Sequence, residues 1–117
     1  MNDSPSFQCA VGTPSEMRAC ARDAAAFLKT LAHEGRLMIL CYLYDGERSV
    51  GELEALLGLR QAAVSQLLAR LRDADLVRTR REGKTIFYSL ADPAVAQVID
   101  LLHALYGSRS LRDQSDR

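Results

Sequence analysis

The apolar residues of this chain change their period at Leu76, and few small folds accommodate such a change. Before it, "SVGELEALLGL" (49–59) and "RQAAVSQLLARLRDADL" (60–76) place Leu53, Leu56 and Leu57, then Val64, Leu67, Leu68 and Leu71, at helical spacing. After it, "LVRTRREGKTIFYSL" (76–90) alternates apolar with basic residues on both sides of "REGK". Ser49 followed by Glu52 is a capping-box helix start, and Gly58 ends that helix before a very short turn. The spacing therefore predicts two short helices joined tightly at Gly58, followed by a β-hairpin turning at Glu82-Gly83.

The flanks are helical. "TPSE" (13–16) offers Thr13 as N-cap, Pro14 at the first helical position and Glu16 to close a capping box. Cys20, Ala24, Phe27 and Leu31 then recur at helical spacing, which carries this first helix to about His33. "RLMILCYLYDG" is apolar nearly all round, so a second helix over about 35–44 is expected at the centre of the core, stopped by Asp45-Gly46. After the hairpin, Asp92 and Pro93 open a last helix whose Val95, Val98, Ile99, Leu102 and Leu105 form a stripe. The expected order is helix, helix, helix, helix, hairpin, helix: mainly α, with the hairpin as a wing on a helix-turn-helix. Residues 1–13 are read as a mobile N-terminal tail, 14–107 as one winged helix-turn-helix domain with terminal dimerisation helices, and 108–117 as a flexible C-terminal tail. A core this small cannot cover both terminal helices, so a C2 homodimer is expected, with two recognition helices set for successive major grooves.

Charge is informative only through its distribution. Lysine plus arginine equals aspartate plus glutamate, 15 each, so the chain is formally neutral. Residues 60–84, however, hold Arg60, Arg70, Arg72, Arg78, Arg80, Arg81 and Lys84 against only Asp73, Asp75 and Glu82. A neutral chain with one basic segment has a face, and such a face suits a polyanion. Apolar runs are broken by charges well short of bilayer length, and the N-terminus has neither a basic nor an apolar leader region, so a cytoplasmic location is expected without membrane partners. Three cysteines, Cys9, Cys20 and Cys41, are an odd count with no metal-type spacing, which argues against a disulfide framework. No His/Asp/Ser or Cys/His set, phosphate loop or supported carboxylate pair is present, so an enzyme is not expected.

Taken together, "HEGRLMILCYL", "ERSVGELEALLGL", "VSQLLARLRDADLVRTRREGKTIFYSL" and "VIDLLHALYG" resemble the ArsR/SmtB family of winged helix-turn-helix repressors across about residues 18–107. Within it, the thiol of "ILCYL" is similar to that of the sulfide-responsive SqrR/BigR-type branch. The resemblance implies a dimeric repressor of an inverted-repeat operator, released when a thiol-modifying inducer links two cysteines through sulfur. The chain departs from that pattern in several places. Gly107 stands after the Leu-Tyr pair where the branch has its second thiol, so the usual linkage from Cys41 cannot form. Arg60, Ala62 and Leu67 replace the more usual Ser, Ser and His, and Asp75 occupies a customary Gly position.

Site residues follow from both readings. Gln61, Ser65 and Gln66 are candidates for base edges, Arg60 suits guanine or phosphate, and Arg70 is a further DNA-binding candidate on the same helix. Arg80, Arg81 and Lys84 in the wing suit phosphate or the minor groove. Each of these is also an ordinary solvated residue of a helix or hairpin. Cys41 is the candidate sensing thiol, with Cys9, tethered within ~20 Å of the first helix, or Cys20 as partner; as filler, Cys41 and Cys20 simply pack. No metal site or cofactor is expected: against the metal-binding positions that the family resemblance implies, the third helix lacks cysteine, and in the last helix Asp92 matches one position while Ala94, Leu105 and Ser108 replace the other ligands. His103 with Asp100 is more simply a surface or interface pair. The inducer is expected to be a reactive sulfur species or oxidant. Peroxide, a soft ion such as arsenite, or use of the winged helix for protein contacts stay open as alternatives.

Overall fold

The structure is a computed structural model, described here for residues 12–107; Cys9 and the two tails beyond those bounds lie outside the described residues. Four of the five α-helices start where a side chain caps the first turn. Helix α1, Pro14–Leu31, opens on the Thr13/Glu16 capping box: Thr13 Oγ1 accepts from the Glu16 amide at 3.1 Å and Glu16 Oε1 from the Thr13 amide at 2.9 Å. Its C-terminal carbonyls are covered by Arg36, whose Nε donates to the Thr30 carbonyl at 2.7 Å and Nη2 to that of Lys29 at 3.4 Å. Helix α1 thus ends two residues before His33, which instead caps helix α2, Glu34–Tyr44, by accepting from the Arg36 amide through Nδ1.

Helix α2 is the hub. Ile39, Leu40 and Leu43 are buried, and the helix packs against α1, the three helices that follow it and the central strand of the sheet. Helix α3, Val50–Leu57, carries the Ser49/Glu52 capping box and closes at Gly58, whose φ of +69° lets the chain double back into α4, Gln61–Asp73. Val64, Leu68 and Leu71 of α4 join Leu53, Ile39 and Leu40 in a core without accessible surface to speak of.

Helix α4 ends three residues earlier than the apolar spacing predicts, because a Schellman turn intervenes. The Leu76 amide donates to the Leu71 carbonyl at 3.0 Å and the Asp75 amide to that of Arg72 at 2.9 Å, with Asp75 at φ +60°. Buried Leu76 and Leu71 are the apolar pair that accompanies this motif. The customary glycine position therefore does require left-handed backbone, and aspartate is the one non-glycine described residue that adopts it.

The wing is the hairpin of β2, Val77–Glu82, and β3, Thr85–Leu90. Its register pairs Glu82 with Thr85, so the two-residue turn is Gly83-Lys84 rather than Glu82-Gly83, with positive φ at Gly83. A third strand, which no period in the sequence marks, also joins the sheet. Arg48–Ser49, β1, pairs antiparallel with β3, placing Arg48 opposite Tyr88 and Ser49 opposite Phe87, in the sheet order β1-β3-β2. Helix α5, Pro93–Leu102, starts on Asp92, whose carboxylate accepts from the Ala94 amide at 2.9 Å, and buries Val95 and Ile99. The last helix was expected to run on unbroken to Gly107; instead, His103–Gly107 widens into a π-helical turn. No described helix is long and apolar enough to cross a membrane.

Candidate nucleic-acid interface

The burial of Val64, Leu68 and Leu71 determines which side of α4 faces out. At 100° per residue, Gln61, Ser65 and Arg72 line one exposed flank, Ala62, Gln66 and Arg70 the other, and all six are exposed. Arg60 is the N-cap residue, in extended conformation with no side-chain cap bond, so its guanidinium is not used in starting the helix. The polar residues singled out on α4 therefore share one solvent-facing surface. Between them stand the small side chains Ala62 and Ala69, which let a partner approach the helix backbone closely.

The wing adds a second set of cations beside this helix. Lys84 and Ile86 line a cleft of about 410 Å³ together with Gln61 at the start of α4 and Ser49, Val50 and Gly51 at the start of α3. The helix-turn-helix and the wing tip thus form one continuous surface. Glu54 also lines this cleft, so an anion there meets a carboxylate as well as a lysine. Gln66 borders a larger groove of about 770 Å³ on the other side of α4, against His33, Met38 and Leu59.

Strand alternation separates the two wing arginines. Arg81 pairs with Ile86 and shares a sheet face with buried Val77 and Tyr88, the face turned toward the core and the Lys84–Gln61 cleft. Arg80 pairs with Phe87 and lies on the opposite face. There its Nε and Nη2 donate to the two carboxylate oxygens of Glu47 at 2.9 and 2.8 Å, and Nη1 donates to Glu82 at 3.0 Å. The guanidinium carbon sits 4.8 Å from the centre of the Phe87 ring. The Arg80 hydrogen bonds pull the Glu47 carboxyl below its ordinary range and push the guanidinium up, so the pair stays ionised throughout neutral pH. Glu47 carries no sequence signal, since it lies in a turn and meets Arg80 only because β1 joins the sheet.

The thiols occupy different settings. Cys41 is half-buried in α2 and forms no disulfide. Burial pushes its thiol above the ordinary range, and the nearby Asp45 carboxylate adds to this. Cys20 is half-buried on α1. Gly107 ends the π-helical turn, and a Cβ built there meets no atom within 4 Å. Tyr44, one turn after Cys41, donates its hydroxyl to Asp100 and meets the His103 ring edge-on at 6.0 Å between centroids, tying α2 to the end of α5. Asp100 and His103 therefore serve a tyrosine, and no three His, Cys, Asp or Glu side chains gather in metal-binding fashion among the described residues.

This geometry has close counterparts among known proteins. The sequence profile of the bacterial regulatory protein, arsR family, matches residues 33–79. The biofilm growth-associated repressor of Agrobacterium fabrum is 52% identical over 90 residues, 77% of each chain. The transcriptional activator HlyU of Vibrio cholerae is 50% identical over 91 residues, 78% of this chain and 84% of that one. The structure of reduced HlyU matches with a TM-score of 0.75 at 50% identity, over 78% of this chain and 96% of that one. The transcriptional repressor BigR from Xylella fastidiosa matches at TM-score 0.74 and 43% identity, over 81% and 97%. With a helix-turn-helix, a basic wing and such relatives in common, this chain belongs to the ArsR family as a winged-helix DNA-binding transcriptional regulator.

Proposed function

We propose that this protein is a repressor that binds an inverted-repeat operator as a homodimer and lets go when Cys41 is modified by a reactive sulfur species. The observation that carries the DNA half is the exposed Gln61, Ser65, Gln66 and Arg70 surface of α4 lying beside the cations of the wing. Gln61, Ser65 and Gln66 read base edges, while Arg60, Arg70, Arg81 and Lys84 meet phosphate. Repression is the reading chosen from the relatives named repressor, at 52% and 43% identity, while the 50%-identical HlyU bears the name activator.

A second copy is supported by what the terminal helices leave uncovered. Leu28 of α1, Leu101 of α5, and Leu105 and Tyr106 of the π-helical turn are each about half exposed, and an apolar groove of about 280 Å³ runs between α1 and α5 past Leu28, Leu37, Val98 and Leu102. Pairing these faces through a two-fold axis buries them and sets two α4 helices for one operator.

For the thiol half, Cys41 stands in the helix that touches α1, α3, α4, α5 and β3, so an added sulfur there strains the whole support of α4. Its raised pKa keeps the thiolate scarce at neutral pH, which favours a small, strongly reactive inducer over a weak one. The test is binding of the protein to the DNA upstream of its own gene, with and without polysulfide, for the parent and Cys41→Ser. Salt-sensitive binding that polysulfide abolishes in the parent but not in Cys41→Ser is the expected result. Equal release from both proteins removes Cys41 from the mechanism, and absence of salt-sensitive binding removes the DNA reading.

A further inference from the structure

Of the wing cations, one is already spent. Each of the three Arg80 nitrogens donates to a carboxylate oxygen, two of them side by side to Glu47 and the third to Glu82. Phe87 lies under the guanidinium and pairs across β3 with both Arg80 and Ser49, so the same ring underlies the joint of β2, β3 and β1. Within this cluster one cation meets two carboxylates, leaving a local excess of negative charge. A phosphate reaching for Arg80 must either displace a two-point carboxylate contact or use the two remaining N–H donors beside two carboxylates that repel it.

Resting on the DNA-binding function proposed above, we infer that Arg80 is a positioning residue that clasps the wing to the β1 turn, and that Glu47 withholds its charge from DNA. The wing then reaches phosphate with Arg81 and Lys84, which project from the core-side face and the turn. This division serves specificity. A cation held back from phosphate lowers sequence-independent affinity while the clasp keeps the hairpin at one angle to α4, where correct placement favours the operator alone.

The experiment has two arms on the full chain. In the first, fluorescence anisotropy follows binding to a duplex from the region upstream of the gene and to a scrambled duplex across a series of KCl concentrations. Each phosphate contact contributes about 0.9 to the slope of log K against log salt. Arg81→Gln is expected to reduce the slope by about one, Arg80→Gln to keep the parent slope, and Glu47→Gln to steepen it with tighter binding to the scrambled duplex. A slope reduced as much by Arg80→Gln as by Arg81→Gln overturns the inference.

In the second arm, hydrogen exchange of the amides of residues 77–90 is followed without DNA. Arg80→Gln and Glu47→Gln are expected to exchange faster than the parent, Arg81→Gln is expected to match it, and the charge-swapped Arg80→Glu/Glu47→Arg pair is expected to recover protection. Parent-like exchange in Arg80→Gln overturns the clasp. Should the parent bind neither duplex in a salt-dependent way, the DNA-binding proposal falls, and the exchange arm still decides whether Arg80 positions the wing.

Discussion

Asp75 shows what a single side chain can reveal. Its φ of +60° sits where an L-residue with a Cβ costs about 1–2 kcal/mol, and where Asp suffers less than most. Replacing it with glycine removes that strain but loosens the unfolded chain, which offsets about 0.4–1 kcal/mol of the gain. Asp75→Gly is accordingly expected to raise stability by about 0.5 kcal/mol and Asp75→Val to lower it by about 1–2 kcal/mol. Urea unfolding checks both, and a glycine variant less stable than the parent contradicts the account. Cys41 makes a second prediction at this scale. Its thiol pKa is raised on folding by burial, then by Asp45, so the unfolded chain ionises first as pH climbs through the ordinary thiol range near 9.0. The folded state therefore loses stability from that range upward until the folded thiol also ionises, and loses nothing below it. Comparing stability against pH for the parent and Cys41→Ala should show a shallower alkaline decline in the variant. A steeper one reverses the sign.

Among the elements, α3 and α4 are held by chemistry that can be removed piece by piece. The hydroxyl of Ser49 accepts from the Glu52 amide at 3.1 Å while Glu52 Oε1 accepts from the Ser49 amide at 2.8 Å. Ser49→Ala is expected to cost about 1 kcal/mol of stability, and also to weaken operator binding, because α3 is packed on α4 and lines the Lys84–Gln61 cleft. On α4, Gln66 is exposed and makes no hydrogen bond among the described residues, so Gln66→Ala should leave stability nearly unchanged while costing about 1–3 kcal/mol of operator binding and relaxing sequence choice. Competition between operator and single-base variants distinguishes this from a general loss. The helix starts were readable because Thr13, Ser49 and Asp92 satisfy amides within three residues of themselves. The ends were less so. Helix α4 stops at Asp73 through a turn made by Asp75, a residue whose type does not announce left-handed backbone.

For the whole molecule, the decisive question is the face shared by α1 and α5. Phe27 and Leu102 are half-buried against their own chain, so charging them risks the fold along with any interface. Leu101 and Leu105 are 56% and 48% exposed and offer a cleaner test. Leu101→Glu with Leu105→Glu is expected to keep the helical content and thermal transition of a folded monomer while halving the mass seen by light scattering; an unchanged dimer moves the interface elsewhere. The open surroundings of Gly107 give the complementary experiment on the switch. A Cβ at Gly107 meets no atom within 4 Å, and a Gly107→Cys thiol that oxidises onto Cys41, seen by intact mass and peptide mapping, would restore the linkage that the family resemblance implies. Absence of any such link under polysulfide or peroxide separates this chain from that mechanism.

The sequence by itself determined what depends on near neighbours: five helices, the capped starts of three of them, the tight join at Gly58, the hairpin, and the outward Gln61, Ser65 and Gln66 of α4. Each follows from apolar period or from capping within one turn of chain. Only the tertiary structure decided the two-residue strand Arg48–Ser49, too short to carry a pattern and formed because β3 passes beside it. The same pairing decided the fate of Arg80. In sequence it is one cation among seven between residues 60 and 84, indistinguishable from Arg81 beside it. Strand alternation sends the two to opposite faces, and the fold carries Glu47, 33 positions away, onto one of them alone. Charge counts along a chain; what a charge can reach is set by which face it leaves and what long-range contact meets it there.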